Sequence, residues 1–347
     1  MVINEHIEQR PPKIVVIGGG TGTSTILCEL KFLTPDLTAV VNMSDDGGSS
    51  GELVRELGVM PGGDLRQCQV ALSNYPALAE EFERRNQDGH ALGNLVLAQL
   101  ELGLGDIQTS VDHVNHMLKI TGEVLPVTTS RHDLVMQYGK TIVRGESLIG
   151  HYILPPNTRP TISMDPSVTL NPRAETALHE ADLVAIACGN TNGSVLPALV
   201  VKGIKETLRD TKAKTVMVAN LLNKPGQTDD WHVQDYVQHI ERHIGGDQID
   251  MTLFNTDLPT QAMIAKHGSK GEAPVRVDED EFEDCFATPI GAALLSSTVR
   301  TNAVNDVLFK HKRTVIKHDS ARVASKLAHI AQHIVANSDV YDNSRMR

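Results

Sequence analysis

The chain has 347 residues, of which 40% are hydrophobic and 3% aromatic, and it carries 32 lysines and arginines against 43 aspartates and glutamates. This length allows one large α/β domain or two ordinary ones, and the net charge of −11 repels polyanions, which excludes nucleic acid as the expected partner. The four cysteines form no C-x-x-C pair, which argues against a disulfide framework or a zinc ribbon and favours a reducing cytoplasm.

Short β-branched runs alternate along the chain with segments of helical period. This alternation predicts βαβ units and a Rossmann-like α/β fold, in which a mostly parallel sheet is flanked by helices. The predicted core strands are residues 14–17, 37–42, 183–188, 215–220, 251–255 and 314–317. The predicted helices are residues 23–33, 50–57, 91–102, 107–120, 194–208, 230–244 and 320–336.

Residues 122–166 depart from this alternation. Short β-like runs at 124–129, 134–138, 141–143 and 161–164 are separated by turn residues, which predicts a small antiparallel insertion. Without a long linker or a repeat, we expect one domain over residues 12–337 with polar tails at 1–11 and 338–347. The first residues lack an apolar signal stretch and no run of about 18 apolar residues follows, so we expect a soluble protein that binds no membrane.

Small or polar residues follow each predicted core strand. They occupy positions 18–22, 42–48, 189–194, 220–226, 255–257 and 318–319. Because the carboxyl ends of parallel strands share one edge of a sheet, these segments are expected to meet in a single crevice, where such sheets bind ligands. This convergence is stronger evidence for a ligand site than any one motif.

The first of these segments, Gly18-Gly19-Gly20-Thr21-Gly22, has the properties of an anion-binding loop. Glycines let the backbone approach a ligand, and the helix predicted after it offers free N–H groups and the positive end of its dipole. The segment is not a regular dinucleotide fingerprint, because Thr23 stands at the third glycine and Asn42 replaces the acid that binds ribose. A phosphate or nucleotide site and a tight turn are therefore the two interpretations.

The third segment, Gly189-Asn190-Thr191-Asn192-Gly193-Ser194, leads into a predicted helix whose first acidic residue is Glu206. The beginning of this helix has no carboxylate to compete with an anion, which indicates a second phosphate-binding position. The alternative is a turn rich in asparagine and glycine, with Ser194 as the N-cap of the helix.

Three aspartates are placed where a ligand would lie. Asp45 and Asp46 stand between a strand end and Gly47, and Asp64 lies in a Pro-Gly-Gly-Asp-Leu-Arg run. Carboxylates in such places hold Mg²⁺ through water, bind ribose or ring hydroxyls, or cap the following helices. Arg66, just inside a helix start, is a candidate partner for a phosphate or carboxylate.

The sequence carries no motif for zinc catalysis or nucleophilic hydrolysis. The helical pairs His113/His116 and His239/His243 lack an H-E-x-x-H context, and there is no Gly-x-Ser-x-Gly elbow. Solvated or packed histidines are the better interpretation of both pairs.

Several of these motifs occur together in a recognisable order. The glycine-rich run at 15–22 and the run Asp45-Asp46-Gly47-Gly48-Ser49-Ser50-Gly51 are followed by further runs at 55–59, 61–66, 89–95, 145–147, 181–183, 220–229 and 318–319. Together they resemble the gluconeogenesis factor (YvcK-like) family, within the CofD-like superfamily. The resemblance covers roughly residues 13–335, and the run at 45–51 is its most specific part.

The resemblance implies a cytoplasmic Rossmann-like protein with no established reaction. It would bind UDP-sugars such as UDP-N-acetylglucosamine and link carbon metabolism and gluconeogenic growth to cell-wall synthesis and cell shape. The alternative is a nucleotide-dependent phosphotransferase like the related 2-phospho-L-lactate transferase, which uses the corresponding cleft, with Mg²⁺, to build a deazaflavin coenzyme.

The resemblance also assigns residues to parts of the ligand. The diphosphate would be bound by residues 19–22 and 189–194. The sugar or ribose would be lined by Asn42, Asp45, Asp46, Asp64 and Asn94. Asn220, Lys317 and His318 complete the predicted site.

Two departures from the family pattern fall in this site. The 188–194 loop lacks the family's proline and tyrosine, and Lys317 replaces an arginine, which keeps the charge but loses a bidentate fork. Both departures affect which nucleotide would bind more than they affect the fold.

The low aromatic content disfavours the transferase, since aromatic side chains commonly hold a deazaflavin ring. The altered dinucleotide fingerprint disfavours a nicotinamide dehydrogenase. We expect a homo-oligomer that binds a sugar nucleotide.

Overall fold

The computed structural model describes residues 10–267, 271–278, 282, 286–296 and 316–345. The strands in these ranges are β1 (Ile14–Gly18), β2 (Leu37–Val41), β3 (Glu123–Pro126), β4 (Asp133–Tyr138), β5 (Thr141–Arg144), β6 (Thr161–Asp165), β7 (Leu183–Ile186), β8 (Lys214–Val218), β9 (Met251–Asn255) and β10 (Thr288–Ala292). The helices are α1 (Gly20–Leu30), α2 (Gly48–Leu57), α3 (Gly63–Leu72), α4 (Pro76–Glu83), α5 (Leu92–Leu104), α6 (Ile107–Met117), α7 (Glu146–His151), α8 (Pro172–Glu180), α9 (Leu196–Leu199), α10 (Ile204–Asp210), α11 (Val233–Ile244), α12 (Gln261–His267) and α13 (Ser320–Arg345).

The main sheet has seven strands in the order β10-β9-β8-β7-β1-β2-β3. All neighbouring pairs in it run parallel. The chain builds this sheet outward from β1, through β2 and β3 on one side and through β7 to β10 on the other. The strand order therefore reverses between β1 and β7, and at such a switch point the loops at the carboxyl ends diverge and leave room for a ligand.

The strands next to this switch point are buried on both faces. All residues of β1 and β7 are buried, as expected for a parallel sheet covered by helices on both sides. Helix α1 contributes Ile26, Leu27 and Leu30 to the core, and α13 contributes Leu327. The predicted α/β fold, a mostly parallel sheet flanked by helices, is confirmed.

The predicted antiparallel insertion is confirmed for three of its four runs. Strand β4 pairs antiparallel with both β5 and β6, in the order β5-β4-β6. The remaining run, 124–129, does not belong to the antiparallel insertion. It forms β3, the edge strand of the main sheet, which pairs parallel with β2. Val124 and Leu125 are fully buried, so helices cover this strand as they cover the core strands.

The helix predicted over 194–208 is also wrong, because the segment is broken. A π-helical turn at Thr191–Val195 is followed by the single turn of α9 and, after an extended stretch, by α10. In the extended stretch the backbone N–H of Lys202 donates to the carbonyl of Val168, and the N–H of Leu170 donates to the carbonyl of Lys202. These bonds to a distant segment replace helical ones, and hydrophobic spacing alone does not reveal them.

Several element boundaries differ from the prediction. Helix α1 begins at Gly20, so the glycine run forms its first turn. The predicted strand 314–317 lies partly outside the described residues, and His318 forms an isolated bridge with Leu295. Helix α13 continues to Arg345 because no glycine or proline interrupts it, so 338–345 is helical rather than a tail. Of the tail predicted at 1–11, residues 1–9 lie outside the described part.

Both sheets contribute to one cluster of buried apolar side chains, which includes Val16 of β1 and Met136 of β4. Three cysteines, Cys28, Cys68 and Cys188, are free thiols, and Cys285 lies outside the described residues. In the described ranges, no helix has the length and apolar character needed to cross a bilayer.

Close backbone contacts hold the switch point together. Gly22, in the first turn of α1, faces the carbonyl oxygen of Cys188, the second residue after β7, and a Cβ atom at Gly22 would collide with that oxygen. On the other side of the loop, a Cβ at Gly19 would lie 3.1 Å from the Cβ of Asn42, which follows β2. The segments after β1, β2 and β7 therefore meet at one edge, as the sequence predicts.

We expect Gly22→Ala to lower the free energy of unfolding by about 1–3 kcal/mol, because the added methyl overpacks against fixed backbone. The matched control is Gly103→Ala, also in a helix, where a Cβ would meet nothing within 4 Å. The control should instead raise the free energy of unfolding by roughly 0.5–1 kcal/mol, since alanine loses less backbone entropy on folding. Urea unfolding measures both. Equal effects of the two substitutions would contradict the proposed close approach.

Candidate functional site

The glycine loop faces a carboxyl group of the same chain. Asp64 lies in the first turn of α3, and a Cβ at Gly20 would lie 2.8 Å from its Oδ1. The side-chain amide of Asn42 donates to Asp64 Oδ2 at 3.5 Å. The first turn of α1 has no acidic residue of its own. Asp64 therefore lies where an anion is attracted to the positive end of α1, and a bound phosphate would compete with it.

Burial raises the pKa of Asp64 well above its usual range, and the nearby negative charges of Asp45 and Glu146 raise it further. Burial also raises the pKa of Asp45, against the opposing effect of hydrogen bonds from Ser50 and Gly47. A carboxyl with a raised pKa keeps its proton more readily, so it can donate to a ligand as well as accept from one. This part of the site suits hydroxyl groups better than a second anion.

The segment after β2 connects the crevice to the insertion. The backbone N–H of Gly47 donates to Asp45 Oδ1 at 3.1 Å. The neighbouring Asp46 accepts, through Oδ1, the backbone N–H of Ser147 in α7 at 2.7 Å. The Asp45 side chain thus lies near α3, whereas the Asp46 side chain binds the first turn of α7 at the edge of the crevice.

Two further predicted site residues, Arg66 of α3 and Asn94 of α5, lie near the segment that follows β2. The Arg66 guanidinium pairs with Glu83 at 3.2 Å, and both side chains are more than 90% buried. Binding of an anion by Arg66 would therefore require it to leave this partner. The Nδ2 of Asn94 donates to Ser49 Oγ at 3.2 Å, and its buried Oδ1 has no hydrogen-bond partner among the described residues.

The loop after β7 is fixed by asparagine side chains. Asn220, two residues after β8, accepts the N–H of Gly189 at 3.1 Å and donates to its carbonyl at 2.8 Å. Asn190 accepts the N–H of Gly193 at 3.3 Å and so caps the π-helical turn, whereas Ser194 lies inside that turn. The long helix expected to begin here is absent, so a phosphate at this loop would gain no long-helix dipole, and the loop can offer a ligand only its own amides and side chains.

A buried histidine orients the central asparagine of this loop. Arg242 Nη2 lies 2.9 Å from His239 Nδ1, and because a guanidinium only donates, Nδ1 must accept. The other ring nitrogen, Nε2, then carries the proton and donates to Asn192 Oδ1 at 3.0 Å. This leaves Asn192 Nδ2 as a buried donor, for which the described part of the chain provides no partner. Burial lowers the pKa of His239 to about 2, so the ring is neutral near pH 7.

The site also contains a thiol and an imidazole that are both neutral. Cys188 Sγ lies 3.5 Å from His318 Nδ1. Burial raises the pKa of Cys188 to about 11 and lowers that of His318 to about 4. His318 Nε2 is buried and has no hydrogen-bond partner within the described ranges. Lys317, in contrast, is exposed, so it can reach only the rim of the crevice.

Two further residues that the sequence-based site list leaves out also reach the site. Glu146 begins α7, and a Cβ at Gly193 would lie 2.8 Å from its Oε1. Lys224 donates to the carbonyl of Gly150 at the end of the same helix. The sequence signal for Lys224 is its place in the 220–226 segment after a core strand, whereas the only signal for Glu146 is the family resemblance, because the position of α7 depends on how the insertion packs.

Asp45 and Asp46 are the predicted Mg²⁺ ligands of the transferase alternative, and Asp64 is a further carboxylate placed where it could hold the ion through water. In the part of the chain that the structure describes, no three His, Cys, Asp or Glu side chains are arranged to hold one metal ion. The directions of these carboxyls agree with that finding, since Asp46 binds the backbone of α7 and Asp45 binds that of Gly47. The residues thus do not form a ready cage for Mg²⁺.

The fold and the site together define a Rossmann-like protein with polar side chains gathered at its switch point. A family model described as 2-phospho-L-lactate transferase CofD matches residues 14–295. The chain is 35% identical over 338 residues to a putative gluconeogenesis factor of Clostridium acetobutylicum, covering 94% of this chain and 71% of the relative. It is 33% identical over 326 residues to the gluconeogenesis factor of Bacillus subtilis, covering 91% of this chain and 97% of the relative.

A solved structure agrees with these relatives. The crystal structure of a Bacillus halodurans protein has a TM-score of 0.81 and 30% identity to this chain, covering 92% of this chain and 99% of the other. The chain therefore belongs to the gluconeogenesis factor family of CofD-like proteins.

We expect Asp64→Asn to gain stability relative to the wild type as pH rises above about 4. Because the pKa of Asp64 is raised in the folded state, the folded protein retains a proton that the unfolded chain has lost. The stability of the wild type therefore falls with rising pH until the folded pKa is passed. An amide does not titrate and can still accept from Asn42. Urea unfolding between about pH 4 and 8 measures the difference.

Asp106→Asn serves as a contrasting control. Hydrogen bonds from Thr109 lower the pKa of Asp106, so this carboxyl stabilises the fold above the pKa of the unfolded chain. The control variant should therefore be less stable than the wild type by a nearly constant amount above about pH 5, and this deficit should shrink only as pH falls below the pKa of the unfolded chain. If Asp64→Asn instead follows the wild type at every pH, the raised pKa of Asp64 is wrong.

Proposed function

We propose that this protein is a regulator that binds a UDP-sugar in the crevice at the switch point, with UDP-N-acetylglucosamine as the expected ligand. In this role it would link carbon metabolism and gluconeogenic growth to cell-wall synthesis and cell shape, from a cytoplasmic location. The relatives named gluconeogenesis factor support the metabolic part of the proposal. The ligand is argued from the site.

The observation that carries the proposal is a set of three buried polar atoms without hydrogen-bond partners in the described part of the chain. They are Asn94 Oδ1, Asn192 Nδ2 and His318 Nε2, and they come from α5, the loop after β7 and the segment before α13. Buried polar atoms are nearly always hydrogen-bonded in native proteins. Of the four other buried atoms without a partner in the described ranges, only Arg66 Nε belongs to a predicted site residue, and it is ion-paired with Glu83. We infer that a ligand with several polar groups supplies the missing partners of the three.

The charges divide the crevice into two parts. Asp45 and Asp64 lie on the side of β2, where carboxyls suit the hydroxyls of a sugar or ribose. Glu146 lies between them and Gly193 of the loop after β7. That loop has no acidic residue of its own and contains the unpartnered amide donor of Asn192, which suits phosphate oxygens. A molecule with a hydroxyl-rich part next to an anionic part matches this division, and a sugar nucleotide is such a molecule.

The titratable groups favour binding over catalysis. Cys188 and His318 are both neutral near pH 7 because burial raises the thiol pKa to about 11 and lowers the imidazole pKa to about 4. A neutral thiol is a poor nucleophile. A transferase remains the second candidate, because the matching family model is described as a transferase and acidic side chains line the crevice.

Calorimetric titration with UDP-N-acetylglucosamine, GDP and NAD, each with and without Mg²⁺, tests the proposal. We expect saturable binding of UDP-N-acetylglucosamine, and the sugar nucleotide should be recovered unchanged. Binding of GDP only with Mg²⁺ would support the transferase instead. Binding of NAD alone would contradict both functions.

Asn192→Asp tests the position of the ligand. The substitution keeps the oxygen that accepts from His239 but replaces the Nδ2 donor with a second oxygen, which repels a phosphate. Because Asn192 is fully buried and a buried carboxylate is costly, circular dichroism and urea unfolding check that the variant is folded. We expect affinity for UDP-N-acetylglucosamine to fall by at least about tenfold, the equivalent of 1.4 kcal/mol. The matched control is Asn74→Asp, at an exposed position next to the amino end of β3. Equal affinity of the two variants would refute the assigned position.

A further inference from the structure

The C-terminal helix carries two histidines one turn apart on its exposed surface. His329 and His333 are both exposed, and their Nε2 atoms are 3.1 Å apart. The two rings are nearly perpendicular, with centroids 4.4 Å apart and an interplanar angle of 86°. We propose that the His329–His333 pair is a binding site for a divalent transition metal ion.

The distance between the two nitrogens fits two bonds to one metal ion. Imidazole nitrogens bind Zn²⁺ at about 2.0–2.1 Å. Two such bonds from atoms 3.1 Å apart enclose an angle of about 100° at the metal, between the 90° of square-planar or octahedral sites and the 109° of a tetrahedron. The i, i+4 spacing on the helix places both rings on one face before the metal arrives. Metal binding would exchange the hydrogen bond between the two nitrogens for two metal–nitrogen bonds, with rotation of the side chains but no change of the backbone.

The chemistry of the pair selects the class of metal. Imidazole suits Cu²⁺, Ni²⁺ and Zn²⁺ rather than Mg²⁺ or Ca²⁺, which prefer oxygen. No third His, Cys, Asp or Glu joins the pair among the described residues, so water would fill the other coordination positions. The general order of affinity places Cu²⁺ first, and the net charge of −11 attracts cations to the protein as a whole.

The other helical histidine pairs differ from this one. In α6, the Nδ1 of His113 donates to the carbonyl of Thr109, and His116 follows at three residues rather than four. In α11, the Nε2 of His239 binds Asn192, and the Nε2 of His243 accepts the backbone N–H of Ile162. Both Nε2 atoms of that pair are thus committed within the fold. The His329–His333 pair combines exposure with convergent nitrogens.

Metal binding at this pair would stabilise the element that supports the glycine loop. Helix α13 packs against α1, whose first turn contains Gly20 and Gly22. On its inner face α13 buries Val323, Leu327 and Ala331. A metal that joins two successive turns of α13 binds only the helical form, so the unfolding temperature should rise once the metal concentration exceeds the dissociation constant and continue to rise with its logarithm.

The test uses the full chain without an affinity tag, titrated with CuCl₂, NiCl₂ or ZnCl₂ in a buffer that does not chelate metals. We expect one saturable Cu²⁺ site, an electron paramagnetic resonance spectrum typical of two nitrogen ligands, and an unfolding temperature that rises with metal concentration. His329→Gln and His333→Gln should each weaken Cu²⁺ binding by roughly 10²-fold, because a single ligand lacks the advantage of the tethered second one. Binding should also weaken at acidic pH, since protons compete for the same nitrogens.

The matched control is His113→Gln, which removes an exposed helical histidine outside the pair and should bind Cu²⁺ as the wild type does. Circular dichroism of every variant in the same metal-free buffer checks that the variant is folded. The proposal is overturned if the wild type shows no saturable site, or if His329→Gln and His333→Gln bind Cu²⁺ as tightly as His113→Gln.

Discussion

The close approach of two backbone segments at the switch point is the constraint on which the rest of the site depends. Gly22 lies against the carbonyl of Cys188, where no side chain fits. This contact fixes the first turn of α1 against the segment that follows β7. Asn220 then holds the next residue, Gly189, by two hydrogen bonds. Residues that are far apart in sequence thus form one rigid edge.

The electrostatics of this edge differ from those of a simple phosphate-binding loop. A glycine-rich turn at the start of a helix attracts anions, yet here a carboxyl of the same chain, Asp64, already lies over Gly20. Burial, together with the nearby carboxylates of Asp45 and Glu146, raises its pKa. The anionic part of a ligand is better accommodated on the side of Asn192. The acidic half of the crevice is suited to hydroxyl groups.

The sequence predicts the features that depend on local pattern and on the general geometry of parallel sheets. The buried strands β1 and β9, the insertion of β4 to β6, and the meeting of the loops at one edge all follow from hydrophobic period and turn residues. The features that it does not predict depend on distant partners. Strand β3 is assigned correctly only once its pairing with β2 is known, and the helix expected over 194–208 is broken by bonds to Leu170. The pairing of Arg66 with Glu83 and the placement of Glu146 likewise depend on tertiary packing.

Hydrogen exchange with and without UDP-N-acetylglucosamine tests the central claim most directly. If the ligand lies in the crevice at the switch point, amides in residues 18–22, 145–150 and 189–194 should exchange more slowly in its presence. Amides at the opposite edge, around the start of β3 and the end of α8, should be unaffected. Protection at that opposite edge, or saturation with the ligand without any change in the three crevice segments, would contradict the account.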